Sequence, residues 1–146
     1  MWSERIFAMP DDDLPADLPA APKKSITIIK AGRHWIFKHF FEDKEIFKEL
    51  ADYYDKDDYR FVLKTPGERN LALKLLERRG FEVALVENSR GYVVKLSRQS
   101  RYAGVLKNSL AQIETNEWRV FLMKDLAAVK EALRQGAKLV EVDVQF

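Results

Sequence analysis

Hydrophobic and polar residues alternate in several short stretches of the chain, and longer stretches between them follow a helical period. The stretches SITIIKA (25–31) and HWIFKHF (34–40) alternate as β-strands do, and they meet at a tight turn around Gly32. Helical spacing follows in 42–54, where Ile46 and Leu50 lie one turn apart. The same criteria predict a short helix near 99–108 and further strands at 59–65, 81–87, 92–97, 110–115, 118–124 and 138–144.

Two helices have clear start and stop signals. Thr65-Pro66-Gly67-Glu68 is a capping box with proline at the first helical position, and Gly80 follows the last helical turn. Asp125 is a second capping residue, and Gly136 ends the helix that it starts. The sequence therefore predicts helices over 66–79 and over about 125–135.

The order of these elements predicts an α+β fold. We expect residues 23–146 to form a single domain with one mixed, mainly antiparallel sheet and about four helices. Within it, 59–115 reads βαββαβ, the ferredoxin-like order that RNA-recognition domains also use. That order places both of its helices on one side of the sheet. Residues 1–22 form an acidic, proline-rich leader, which we interpret as an extended linker.

Charge is distributed unevenly along the chain. Residues 1–22 hold one arginine and five acidic residues, whereas 59–108 hold eleven lysines and arginines and four glutamates. If the two helices of 59–115 share one side of the sheet, their basic side chains form a single positive field that binds phosphates. Solvated helix faces that keep the protein soluble explain the same residues, and the sequence leaves both interpretations open. The predicted nucleic-acid contacts are Arg69, Lys74, Arg78, Arg98, Arg101, Tyr102 and Lys107.

The stretch SRGYVVKL (89–96) partly matches a base-stacking strand. Arg90, Gly91 and Tyr92 match the first three positions of the RNA-recognition pattern, but Val94 replaces the second stacking ring. Strand alternation places Tyr92, Val94 and Leu96 on one apolar face and Lys95 on the face exposed to water. We therefore interpret Tyr92 as a core residue that follows a turn, and we infer no family from this stretch.

Apolar residues occupy both faces of two predicted strands. In HWIFKHF and WRVFLMK, large side chains alternate with other large side chains instead of polar ones, which is unusual for a sheet with one wet face. Leaving several of them exposed is costly, so we expect a partner to cover them, most simply a second copy in a homodimer. The predicted interface residues are Trp2, Phe7, Ile36, Phe40, Phe121 and Met123.

Several kinds of chemistry lack their usual residues. The chain contains no cysteine, its two histidines lie five residues apart in one predicted strand, and it has no glycine-rich phosphate loop or nucleophile elbow. No apolar run reaches the length that spans a bilayer, and the N-terminus is unlike a secretory signal. We expect a cytoplasmic, non-catalytic binding module for RNA or DNA, with no metal, cofactor or membrane. The alternative is a protein-interaction or assembly factor; small-molecule binding or catalysis through His34 or His39 ranks third.

Overall fold

The computed structural model describes residues 24–142 and 144–146. These residues form two β-sheets, and helices cover the outer face of each sheet. The first half contains β1 (Lys24–Ala31), β2 (His34–Phe37), α1 (Lys44–Leu50), a 3-10 turn (Ala51–Tyr53), β3 (Tyr54–Asp55), β4 (Arg60–Leu63), α2 (Pro66–Arg78) and β5 (Phe81–Val86). The second half contains β6 (Val93–Ser97), α3 (Ala103–Leu106), β7 (Ser109–Glu114), β8 (Trp118–Met123), α4 (Leu126–Arg134) and β9 (Lys138–Leu139).

The first sheet has the strand order β3-β4-β2-β1-β5. All neighbouring strands are antiparallel except β1 and β5, which are parallel because the chain crosses over through α2. α2 begins as predicted: the Thr65 hydroxyl accepts the backbone N–H of Glu68 (3.1 Å), and the Glu68 carboxylate accepts that of Lys64 (2.9 Å). Gly80, with φ +91°, ends it.

The second sheet has the order β7-β8-β6-β9, with every neighbouring pair antiparallel. α4 begins at Asp125, whose carboxylate accepts the backbone N–H of Ala128 (2.7 Å), and Gly136 follows it with φ +101°. Both signals were predicted from the sequence. α3 and α4 pack on this sheet through Val105 and Val129, which lie in a cluster with Val94 and Phe121.

The two sheets pack face to face. A third apolar cluster fills the space between them, with Ile29 and Ile36 from the first sheet and Val93, Leu110 and Leu122 from the second. The layers therefore run helix, sheet, sheet, helix, and each sheet is buried on both faces. A sheet that is covered on both sides needs apolar residues at successive positions, which is the pattern that β2 and β8 show.

The α+β class with four α-helices is confirmed, but the single sheet is wrong. The ferredoxin-like order over 59–115 is also wrong, because β4 and β5 belong to the first sheet whereas β6 and β7 belong to the second. The strands predicted at 81–87 and 92–97 do not pair with each other as a hairpin, since the segment 87–92 carries the chain from one sheet to the other. A β-α-β-β-α-β order is instead found over 93–139.

The strand at Val93–Ser97 shows how the second sheet changes the prediction. Val94 and Leu96 face the helices as expected, but Val93 is fully buried between the sheets instead of exposed to water. Tyr92 precedes the strand and packs against the inter-sheet cluster. Lys95 is half-buried, with its ammonium group 4.3 Å from the centre of the Trp118 ring.

Three of the predicted interface residues are buried inside the single chain. Ile36 lies between the sheets, and Phe121 and Met123 lie beneath the helices of the second sheet. Their burial needs no second copy of the protein. Phe40 is exposed, whereas Trp2 and Phe7, like the whole 1–22 leader, lie outside the described residues. Within the described residues, no helix has both the length and the apolar character needed to cross a membrane.

Candidate binding cleft between the two sheets

The layer between the sheets opens at one end into a cleft of about 820 Å³. One wall comes from the first half, through the segment 38–41 that follows β2 and the segment 54–59 around β3. The other wall comes from α3 and from the start of β7. Because the two walls belong to different sheets, the fold itself places them opposite each other.

The cleft forms where one row of side chains leaves the space between the sheets. Along this row Ile36 is 5% exposed, Lys38 is half-buried and Phe40 is 83% exposed. The intervening residues turn the other way: the His39 ring lies 4.8 Å from that of Phe41 and packs against the outer core. The exposed end of the inter-sheet row is therefore the entrance to the cleft.

The floor of the cleft is a fixed aromatic network. Phe61 is its centre, with ring centroids 4.8 Å from Phe37, 5.0 Å from Tyr54 and 5.9 Å from Phe47. Phe47 and Tyr54 also contact each other (5.1 Å), and both line the cleft. Edge-to-face and offset contacts of this kind hold rings in defined orientations, so this surface is rigid.

Two rings at the cleft entrance differ from those of the floor. None of the aromatic contacts in the described part of the chain involves Phe40 or Tyr59. Tyr59 is 69% exposed, and its φ of +55° lies in the left-handed region that residues other than glycine rarely adopt. A bulky residue keeps such a backbone only where its surroundings hold it.

Arg60 holds Tyr59 in place and joins the two halves. Its Nη1 donates to the backbone carbonyl of Leu110 in the opposite sheet (2.6 Å). Its other nitrogens form ion pairs with Asp55 (3.3 Å) and Asp58 (3.5 Å), and the Asp55 carboxylate also accepts the backbone N–H of Asp57 (3.1 Å). The turn that carries Tyr59 is therefore anchored on both sides of that residue.

The cleft also holds charged side chains from both halves. Lys38 Nζ donates to the backbone carbonyl of Lys107 at the end of α3 (3.3 Å), and both lysines line the cleft, as do Asp57 and Asp58. Burial, and then the charge of Lys124, lower the pKa of Lys38, while Asp58 opposes the shift. Within the described ranges, no carboxylate lies within 4.0 Å of the ammonium groups of Lys38, Lys107 or Lys124.

His39 is affected by the same positive charge. Burial, followed by the charges of Lys124 and Lys24, lowers its pKa, and Asp125 acts in the opposite direction. In the described part of the chain no hydrogen bond joins His39 to a carboxylate, and its ring instead packs against Phe41 and Phe81. At neutral pH the imidazole is therefore an uncharged part of the apolar wall.

The predicted nucleic-acid residues lie in two separate places. α2 packs on the first sheet and α3 on the second, so the two helices do not share one side of a sheet. Of the α2 residues, Arg69 lies over the Trp35 ring (4.8 Å), and Lys74 and Arg78 are exposed.

The four predicted residues of the second half have different environments. Arg98 forms an ion pair with Glu114 (3.7 Å), and the Tyr102 ring is covered by the guanidinium group of Arg119 (4.0 Å). Arg101 is exposed, and Lys107 lies in the cleft.

Sequence reasoning missed Lys38, Lys124 and Tyr59 as site residues. Lys38 carried a detectable signal, because a lysine between Ile36 and Phe40 on the same face of a strand marks the point where that face meets water. Phe40 was instead predicted as a protein-interface residue. Nothing in the spacing along the chain brings Lys107 and Lys124 to Lys38.

We looked for side chains that could bind a metal ion in the described part of the chain. The described residues contain no group of three or more histidine, aspartate or glutamate side chains that could hold a metal ion. No family model, curated protein or solved structure matches the chain. The geometry and the charges of the cleft are therefore what indicate a function.

Proposed function

We propose that this protein is a cytoplasmic, non-catalytic module that binds nucleic acid through its phosphates. The observation that carries the proposal is the pair of lysines that line the cleft, Lys38 and Lys107, together with Lys124, whose charge acts on Lys38. Among the described residues, none of the three ammonium groups has a carboxylate within 4.0 Å. Such cations favour an anionic ligand, and lysine binds phosphate as a point charge.

The position of Lys38 is expected to strengthen its attraction for a phosphate group. Lys38 is half-buried, and partly buried charges are screened by salt less than exposed ones. Arg101 belongs to the same half as Lys107, and in this proposal it extends the contact along the strand. The basic residues of α2 lie on the opposite outer layer, so they are not primary contacts.

The salt dependence of binding tests the proposal. The affinity for a labelled 12-nucleotide strand should fall steeply with salt in fluorescence anisotropy titrations. Replacing Lys38, Lys107 and Lys124 together by glutamine should reduce the slope of log K against log [salt] by about 2, since each lost phosphate contact contributes about 0.7 for single strands. At moderate salt the affinity should fall by about tenfold or more.

The control variant changes charge without changing the cleft. Lys44, Lys130 and Lys138 are exposed and lie outside the cleft, so their joint replacement by glutamine lowers the net charge by the same amount. This variant should keep most of the affinity and of the salt slope. A flat salt dependence of the wild-type protein, or equal losses in the two triple variants, would contradict phosphate recognition at the cleft.

A protein-interaction role with a homodimer is the second candidate. It is favoured by Leu126 and Leu133, which lie two helical turns apart on α4 and are both exposed. Light scattering after size exclusion should then give twice the mass of one chain, and replacing both leucines by glutamine should give a monomer. A monomeric wild-type protein over a wide concentration range would rule out this dimer.

A further inference from the structure

The two rings at the cleft entrance suggest what the ligand contains besides phosphate. Phe40 and Tyr59 are the most exposed aromatic side chains of the described residues, and neither packs on another ring. They line the same cleft as Phe47, which is partly exposed on its floor. A group of exposed rings beside lysines differs from scattered surface hydrophobics, which have no such arrangement.

We propose that the cleft binds an unpaired base of a single-stranded nucleic acid, stacked against Phe40 and Tyr59, with the adjoining phosphates on the cleft lysines. This inference rests on the proposed function and names its ligand class. Stacking on aromatic side chains combined with a positive groove is how proteins bind single strands without sequence preference. In a duplex the base faces are covered by their neighbours, so rings alone cannot reach them.

Ring and cation are adjacent because both belong to one row of side chains. Lys38 and Phe40 lie two residues apart in the segment that follows β2, and both line the cleft. The Cα atoms of residues two apart in an extended chain are separated by roughly 6–7 Å. A nucleotide joins its base to its phosphate through a single sugar, so one nucleotide requires a ring and a positive charge close together. A purely apolar ligand would make no ionic contact with the lysines, and phosphate alone would make no stacking contact with the rings.

The backbone that carries Tyr59 is held in place before a ligand binds. It is in the left-handed region, and the residues on either side are fixed by the Asp55 and Asp58 contacts of Arg60. A turn that is already ordered loses less conformational freedom when the ligand binds. Phe40 extends from the end of the inter-sheet row, so the two halves of the entrance are both defined by the fold.

Three ligands of equal length and label separate stacking from phosphate binding: a mixed-sequence single strand, the same strand with abasic sites throughout, and a duplex. The wild-type protein should bind the normal single strand at least tenfold more tightly than the abasic strand, because each stacked base contributes about a factor of ten or more. The double variant Phe40→Ala, Tyr59→Ala should reduce this preference toward one. Leu71→Ala, at an exposed residue of α2 outside the cleft, should leave the preference unchanged.

The outcomes distinguish this inference from the proposed function. Equal, salt-dependent binding of the normal and abasic strands would overturn base stacking and leave phosphate recognition standing. Binding of the duplex as tightly as the single strand would have the same meaning. Absence of binding to all three ligands would overturn both proposals together. Circular dichroism of the double variant verifies its folding, since both replaced side chains are largely exposed in the wild-type protein.

Discussion

Replacing Phe61 by alanine should lower the free energy of unfolding by about 3–5 kcal/mol, the usual range for a buried phenylalanine. Phe61 is 1% exposed and contacts four other rings, among them Phe37 and Tyr54. Its removal takes apolar area from the core of the first half and leaves a cavity that the rigid neighbouring rings cannot fill. Urea unfolding, followed by tryptophan fluorescence, measures the loss.

Phe40→Ala is the matched control for that variant. The same atoms are removed, but from a ring that is mostly in water, so the free energy of unfolding should change by less than about 0.5 kcal/mol. The pair therefore separates a ring that stabilises the fold from one that is available to a ligand. Similar losses in both variants would show that Phe40 is packed in the folded protein, and this would also remove the basis for stacking at the cleft entrance.

Replacing Arg60 by methionine should lower the free energy of unfolding by about 2–4 kcal/mol. The aliphatic part of the side chain is kept, but the Leu110 carbonyl and the Asp55 carboxylate both lose a partner in a partly buried position. The Arg60–Leu110 hydrogen bond joins the two sheets beside the cleft. Hydrogen exchange should therefore become faster at the start of β7, as well as around β4.

Asp58→Asn isolates the weakest of the Arg60 contacts. Its side chain is largely exposed and the ion pair is 3.5 Å long, so its loss should have little effect on stability. A loss as large as that of Arg60→Met would mean that the acidic turn, and not the contact across the sheets, supplies the stabilisation. Unchanged hydrogen exchange in β7 of Arg60→Met would lead to the same conclusion.

Local features of this fold could be predicted from the sequence because their causes are local. The capping residues Thr65 and Asp125 and the glycines that follow α2 and α4 act within one helical turn, so their spacing determines where these helices begin and end. The alternation of β1 and β2 around Gly32 likewise predicted a hairpin that the structure contains. Each of these signals lies next to the turn or helix end that it determines.

The assignment of strands to sheets could not be predicted in the same way. Strands β5 and β6 are close in sequence. The alternation of apolar and polar residues in them fits a hairpin as well as it fits two strands in different sheets. What separates them is the burial of Val93 and Ile29 against each other's sheet, which is a contact between distant parts of the chain. The apolar residues on both faces of β2 and β8 showed that a cover was needed, but they did not show that the chain supplies it.

The same difficulty explains why the cleft was not predicted. Its lysines come from the segment after β2 and from the end of α3, and Lys124, whose charge acts on Lys38, follows β8. These three places lie far apart along the chain. The clustering of basic residues over 59–108 drew attention to α2 and α3, which the structure places on separate layers. The excess of basic residues in this part of the sequence therefore did not show where their side chains lie in space. The position of the site depends on how the two sheets pack against each other.

The two sheets pack through one shared apolar layer, so each half of the chain covers the inner face of the other half's sheet. In the part of the chain that the structure describes, the segment 87–92 links the two sheets covalently. The apolar layer and the hydrogen bonds of Arg60 and Lys38 join them as well. A ligand that contacts both walls of the cleft would therefore hold the two sheets together. Its binding would raise the free energy of unfolding of the whole protein, because separation of the sheets would release the ligand.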